Sequence, residues 1–160
     1  MPLVERLRSL DGLQIEWRIA ASTDTVWQHL TEPTAVSEWL GQPRVLDLRV
    51  GGQMLVDHGD GYTCDGRISA IEPGAHLEMT WKFPDEPETI VSISLTSMDG
   101  QCTLRLSHRG LGELVSSYAN GWPVHLSYLE AAVLGDPLPA SQFWNLHATI
   151  AQLSGNARDQ

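Results

Sequence analysis

The longest helical pattern of the chain, over residues 113–135, limits most strongly how this chain can fold. Apolar residues recur there three to four positions apart, which is the spacing of one face of an α-helix. They are Tyr118, Trp122, Leu126, Leu129 and Val133, with His125 beside them. A helix of this length spans about 30 Å, so its apolar side needs a surface of similar length to cover it. A β-sheet is the natural partner.

A series of strand patterns precedes this helix. Residues 13–19 alternate strictly between apolar and polar side chains, which predicts a half-buried strand. Two short helices are predicted next, over residues 23–32 and 34–40. Six further strands are predicted, over residues 44–50, 53–58, 62–71, 77–83, 91–95 and 102–108. The short turns between them, such as Asp99-Gly100, indicate an antiparallel meander whose apolar face the long helix would cover. The fold class is therefore α+β, with six to seven strands.

The residues after Pro137 predict one more helix. Phe143, Leu146, Ile150 and Leu153 fall at helical spacing, so we expect a helix over residues 140–153, with fraying from Asn156. This helix packs on the domain itself or on a second copy in a homodimer, and the pattern does not distinguish the two. No repeat or polar linker divides the 160 residues. We therefore expect one domain, with its body in residues 1–136 and a helical extension in 137–160.

Charge and motif content exclude several function classes. The formal net charge of −10 argues against nucleic acid and anionic membrane surfaces as partners, and no stretch is apolar enough to cross a membrane. No nucleotide-binding loop, HExxH, GxSxG or metal-binding cysteine pair occurs, so no cofactor or metal is expected. Cys64 and Cys102 stand apart in strand patterns, which indicates buried thiols. With no secretory signal, we expect cytoplasmic residence.

The order of the predicted elements resembles the helix-grip fold of the START-like superfamily, also called SRPBCC or Bet v I-like. Several segments are similar to its bacterial branch named for the activator of a heat-shock-chaperone ATPase. They are residues 26–31 (VWQHLT), Trp39-Leu40, Gly51-Gly52, Gly66-Arg67-Ile68, Glu72-Pro73, Thr80-Trp81 and Gly121-Trp122 with Leu126 and Leu129. The resemblance covers residues 13–134. It implies a curved sheet wrapped around the long helix. The segment after Pro137 departs from the family, because it extends beyond the family's usual end.

The same resemblance implies a cavity between the sheet and the long helix. Relatives hold lipids, steroids, polyketides or other aromatic molecules there. Some relatives are polyketide cyclases, many have no known activity, and the namesake of the branch activates a chaperone ATPase. The residues expected to line the cavity are Trp39, Met54, Tyr62, Trp81, His108, Tyr118, Trp122, His125, Leu126 and Leu129. Ligand sites are mostly apolar with few polar groups, as this set is, and the resemblance favours a partly open cavity over a filled core.

The polar members of this set are the candidates for chemistry. His108 continues the apolar face of the last strand, where it is either a general base or a structural histidine with satisfied hydrogen bonds. His125 carries the same two interpretations. Tyr62 and Tyr118 are candidates for orienting a carbonyl group. Asp57 and His58 precede a glycine-rich turn, and a pair of neighbours there is more typical of a solvated loop than of a metal site.

Three hypotheses follow from the sequence. The leading one is a binding module without catalytic activity that encloses a small apolar or aromatic molecule. The second is a cyclase-like or hydrolase-like enzyme that uses His108 or His125 as its base. The third is a protein-interaction module that regulates a chaperone ATPase or assembles through the extension.

Overall fold

The computed structural model describes residues 3–8 and 11–158, and the side chains of residues 11–153. Its strands are β1 Leu3–Arg8, β2 Gly12–Ile19, β3 Gln42–Leu46, β4 Gln53–Asp57, β5 Thr63–Glu72, β6 His76–Trp81, β7 Thr89–Met98 and β8 Gln101–Arg109. Its α-helices are α1 Thr23–Thr31, α2 Pro33–Val36, α3 Val115–Val133 and α4 Phe143–Arg158. All strands form one antiparallel sheet in the order β1-β2-β8-β7-β6-β5-β4-β3. The predicted α+β class is confirmed.

The strands form where side chains alternate between a buried and a solvated face. Along β2, for example, Leu13, Ile15, Trp17 and Ile19 are at most 4% exposed, while Gln14 and Arg18 point away from the core. The predicted hairpin at Asp99-Gly100 joins β7 to β8. Both turn residues have positive φ, 52° and 77°, which matches the right-handed twist of the flanking strands. The alternation and the turn therefore fix the register of the strands. The buried face of the sheet is called the inner face below.

Helix α3 covers the inner face. Its buried residues include Trp122, Leu126 and Leu129, and the helix continues through Pro123. A single 3₁₀ turn, Gly112–Leu114, precedes it, so the predicted helix over residues 113–135 is α3 with that turn. Ser22 caps helix α1, because its hydroxyl accepts a hydrogen bond from the Thr25 backbone N–H at 3.2 Å. The core thus consists of one sheet face and the stripe of one long helix.

Three element predictions need correction. The sheet has an eighth strand, β1, which pairs with β2 at one edge; its sequence mixes charged and apolar residues, so alternation does not reveal it. Helix α2 ends at Val36 instead of residue 40, because the Glu38 N–H turns back to the Ala35 carbonyl and tightens the chain. Strand β3 ends at Leu46, before a tight turn that leads to Gly51 with a φ of 83°.

Helix α4 confirms the predicted helix after Pro137 and extends it. The helix continues through Arg158, past Asn156 where fraying is predicted, and residues 159 and 160 lie outside the described part of the chain. Phe143, Leu146 and Ile150 face the domain and are packed against its core. The extension therefore packs on its own domain. The division of the domain into residues 1–136 and 137–160 stays a prediction.

Candidate functional site

The space between the inner face and α3 is nearly full. Trp39, Trp81 and Trp122 are each at most 5% exposed and meet there with Met54 and Met79. The void left among them is about 10 Å³, room for one water molecule at most. A ligand pocket measures roughly 300 Å³ or more. The partly open cavity favoured by the sequence is therefore closed in this structure, because the expected lining residues fill it.

The predicted lining residues occupy three kinds of position. Trp39, Met54, Trp81 and Trp122 border the small void. Leu126 and Leu129 are fully buried on α3 and contribute to the general core. The four polar candidates, Tyr62, His108, Tyr118 and His125, all lie toward the end of the space formed by the β4–β5 turn, the β6–β7 loop and α3. The rings of His108 and Tyr118 meet edge to face at a centroid distance of 4.5 Å, whereas Tyr62 and His125 make their hydrogen bonds elsewhere.

His108 stands in a buried chain of hydrogen bonds. The Trp122 indole N–H donates to His108 Nδ1 at 3.0 Å, so the ring proton of the neutral imidazole is on Nε2. His108 Nε2 then donates to Thr89 Oγ1 at 2.7 Å, and the Thr89 hydroxyl donates to the Trp81 carbonyl at 3.1 Å. Burial lowers the pKa of His108 to about 3. A neutral imidazole with both nitrogens engaged suits a structural histidine better than a general base.

Tyr118 connects the core to an acidic loop. Its hydroxyl oxygen accepts the Trp81 indole N–H at 3.1 Å, and its hydroxyl proton is donated to Glu86 at 2.5 Å. Burial, followed by the bond to Glu86, raises the pKa of Tyr118. Tyr118 therefore stays protonated and holds the β6–β7 loop onto α3.

Tyr62 makes a parallel contact nearer the surface. Its hydroxyl donates to Asp85 at 2.5 Å, and its ring stacks on Phe83 at a centroid distance of 4.4 Å. Its side chain is 41% exposed. The two tyrosines thus hold consecutive carboxylates, Asp85 and Glu86, of the same loop.

His58 lies in a cluster of rings and not in a solvated loop. The rings of Trp81, Phe83 and His125 surround it at centroid distances of 5.8, 5.0 and 5.7 Å; these four residues are called the His58 cluster below. Burial and the neighbouring His125 lower the pKa of His58 to about 3. Its Nε2 atom is buried and has no hydrogen-bond partner among the described residues. Buried polar atoms without a partner are rare, and each requires an explanation.

The sequence contains a signal for this position. Met54, Val56 and His58 alternate along β4 and its end, and the first two are buried, so His58 continues the inner face. Its neighbour Asp57 points the other way. The Gly59 N–H and the Arg44 guanidinium donate to the Asp57 carboxylate and lower its pKa. The glycine-rich turn after His58 is typical of a loop, so the alternation is not readily extended to His58.

His125 borders the cluster from α3. Its Nδ1–H donates to the Trp39 carbonyl at 3.0 Å, which leaves Nε2 of the neutral ring as an acceptor. Burial lowers the pKa of His125 to about 4. On its other side the ring of Phe143, the first residue of α4, lies 4.8 Å away. The cluster is therefore bordered inside by Trp122, whose ring lies 5.8 Å from that of His125, and outside by α4.

A depression of about 340 Å³ lies on the opposite face of the sheet. Short polar side chains form its floor, among them Ser92, Ser94 and Ser107, and Glu16 and Arg105 form an ion pair at its side. It shares no residue with the His58 cluster. We assign the candidate site to the His58 cluster, because it holds a buried nitrogen without a partner among the described residues, and not to this depression.

Other site types find no support within the described residues. They contain no group of three or more histidine, cysteine or acidic side chains able to hold a metal ion. Cys64 and Cys102 are free and buried, and burial raises their thiol pKa values to about 12 and about 11. Among residues 3–8 and 11–158, no helix is both long enough and apolar enough to cross a membrane.

Comparison with known proteins gives a family match over most of the chain. The family model described as Activator of Hsp90 ATPase homolog 1-like protein matches residues 20–133. The crystal structure of DynU16, a protein in the dynemicin biosynthetic locus, is similar at 27% identity and a TM-score of 0.73 over 79% of this chain. The chain spans about half of DynU16, 49% of its length. No curated protein sequence matches.

Two further structures share the fold. CalU16 from Micromonospora echinospora superposes with a TM-score of 0.78 at 24% identity, over 96% of each chain. Protein CV1439 from Chromobacterium violaceum superposes with a TM-score of 0.69 at 22% identity, over 78% of this chain and 98% of its own. At these identities the likeness establishes the common architecture alone. The CalU16 match extends over nearly the whole chain, beyond the part matched by the family model.

Proposed function

The chain belongs to the family of Activator of Hsp90 ATPase homolog 1-like proteins, and within that family we propose that it binds a small, neutral aromatic molecule at the His58 cluster. One observation carries the proposal. The buried His58 Nε2 has no hydrogen-bond partner among the described residues, although rings surround it on several sides. Leaving such a group unpaired costs roughly 1–3 kcal/mol. An oxygen of a bound aromatic molecule would remove that cost.

The electrostatics favour a neutral ligand. The surroundings lower the pKa of His58 to about 3 and of His125 to about 4, so they disfavour positive charge on an occupant as well. Asp85 and Glu86 lie at the ends of the neighbouring tyrosines, and they disfavour negative charge. A flat molecule with a hydroxyl or carbonyl oxygen meets both conditions. The rings of Trp81 and Phe83 supply the apolar walls that such a molecule requires.

The test uses two probes that differ by one oxygen, 2-naphthol and naphthalene, with binding followed through the tryptophan fluorescence of the whole chain. We expect 2-naphthol to bind roughly three- to tenfold more tightly, the effect of one added hydrogen bond. His58→Phe should remove this difference. His76→Phe, on the opposite face of the sheet where His76 contacts Ser94, is the control and should retain it. Absence of binding by both probes, or an unchanged preference in His58→Phe, contradicts the proposal.

An enzymatic version of this function rests on His125 and not on His108. Nε2 of His125 is an acceptor next to the cluster, whereas both nitrogens of His108 are engaged. With a pKa of about 4, His125 is a weak base. Because it is the proposed base, a hydrolase or cyclase activity should survive His108→Gln and be lost in His125→Gln. Hydrolysis of naphthyl acetate by the two variants separates these outcomes. Equal activity in both removes the catalytic assignment.

Protein association through α4 is the second candidate function. Trp144 is 72% exposed on α4, an unusual position for so large an apolar ring, and its neighbour His147 lies 5.3 Å from it. Sedimentation analysis of the chain and of Trp144→Ala tests a homodimer. Stimulation of ATP hydrolysis by purified Hsp90 tests the activity in the family's name. A monomer that leaves the ATPase rate unchanged contradicts both.

A further inference from the structure

Helix α4 covers the His58 cluster with an aromatic ring of its own. The Phe143 ring lies 4.8 Å from the ring of His125 and 5.6 Å from that of Tyr128, both on α3. His125 in turn lies 5.7 Å from His58. The rings of His125 and Tyr128 therefore form a ring-sized position close to His58, and the Phe143 ring fills it.

The residues that attach α4 to the domain are less buried than those of the sheet and α3. Residues 134–142, which lead into it, are all exposed. Beyond the backbone hydrogen bonds that join residues 134–136 to the end of α3, the Tyr128 hydroxyl holds this segment by donating to the Pro139 carbonyl at 2.6 Å. Leu146 and Ile150 are only half-buried, and none of the four ion pairs between described side chains includes a residue of α4. Elements held by few buried contacts are the ones that open locally.

The described residues leave little space for an aromatic ligand next to the His58 cluster. The void next to the three tryptophans is about 10 Å³, so an aromatic molecule can reach the cluster only where a side chain moves away. The sheet and α3 share a fully buried core, whereas α4 lies outside residues 20–133 that the family model matches. Displacing Phe143 opens a ring-sized space without disturbing that core.

We propose that the position of Phe143 is a subsite for an aryl group and that α4 is its built-in occupant, which a ligand must displace. The inference rests on the proposed function at the His58 cluster. It makes ligand binding a competition between an external ring and the Phe143 ring. The apparent affinity is then reduced by the fraction of molecules in which α4 is closed.

The experiment compares 2-naphthol binding by the unmodified chain, Phe143→Ala and Leu153→Ala. Leu153 is on the same helix but 63% exposed, so its variant is the matched control. We expect Phe143→Ala to bind on the order of tenfold more tightly, because the competing ring is gone, and Leu153→Ala to bind as the unmodified chain does. Circular dichroism of each variant establishes that the fold is retained.

A second variant guards against loss of structure in Phe143→Ala. Tyr128→Phe keeps the ring beside Phe143 but removes the hydrogen bond to Pro139, so it should raise the association rate of 2-naphthol. Unchanged binding by both variants, while the unmodified chain binds, overturns the subsite and leaves the proposed function standing. Absence of binding by every variant overturns the proposed function and the subsite together.

Discussion

Replacing His108 with glutamine separates the charge of this residue from its hydrogen bonds. The glutamine oxygen can accept from the Trp122 indole, and its amide can donate to Thr89 Oγ1, which are the two roles of the neutral imidazole. Glutamine does not titrate. The variant therefore keeps the buried hydrogen bonds but has no side chain at this position that takes up a proton when the protein unfolds in acid.

The sign and size of the pH effect follow from the pKa of His108. It is about 3 in the folded protein against an ordinary value of 6.5, so the unfolded chain binds the proton first as the pH falls. This contribution to stability is complete above pH 6.5 and is lost progressively toward pH 3. Between pH 7.5 and pH 5 the loss is about 2 kcal/mol for this one residue.

Urea unfolding at the two pH values, followed by tryptophan fluorescence, measures the effect. We expect the unfolding free energy of His108→Gln to fall by about 2 kcal/mol less than that of the unmodified chain. His58 and His125 add to the acid sensitivity of both proteins and cancel in the comparison. Ile93→Val, a core change without a titrating group, is the control. If His108→Gln loses as much stability as the unmodified chain, His108 is not held neutral.

Three further predictions test other parts of the structure. Gly66→Ala should destabilise the fold by about 2 kcal/mol or more, since a Cβ there would lie 2.4 Å from the Thr80 carbonyl oxygen. Gly121→Ala within α3 places its Cβ in open space and should stabilise the fold by ~0.5–1 kcal/mol. Thermal unfolding that ranks the two variants otherwise contradicts this packing. Tyr118→Phe should cost ~1–3 kcal/mol in urea unfolding because Trp81 and Glu86 both lose a partner, more than Tyr62→Phe at the surface. Iodoacetamide at pH 8 should label Cys64 and Cys102 only after unfolding, and labelling of the folded chain would exclude their protonated, buried state.

The sequence predicts most of the fold because local patterns encode it. Strict alternation marks β2, Asp99-Gly100 marks the β7–β8 turn, and the helical spacing of Trp122, Leu126 and Leu129 marks α3. The missed strand β1 is stabilised by pairing with β2 and not by alternation of its own. The local pattern of residue types does not show which strand an edge strand will pair with.

The candidate site is less accessible from sequence for a similar reason. The pattern identifies residues that face inward, such as Trp81 and Trp122, but whether they leave a cavity depends on how their volumes fit together in three dimensions. His58 is visible as the next inward position after Val56. Its ring neighbours come from β6 and the loop after it and from α3, so their meeting depends on the tertiary fold.

The strand order has a consequence for how the chain reaches its native state. Strand β8 lies between β7, which is joined to it by a two-residue turn, and β2, whose Glu16 is 89 residues from Arg105 in sequence. Closing so long a loop costs entropy before any contact compensates for it. We therefore expect the β7–β8 hairpin to form early and β2 to dock late. During synthesis, β2 leaves the ribosome long before β8, and of its two neighbours in the sheet β1 is the one already present in that interval.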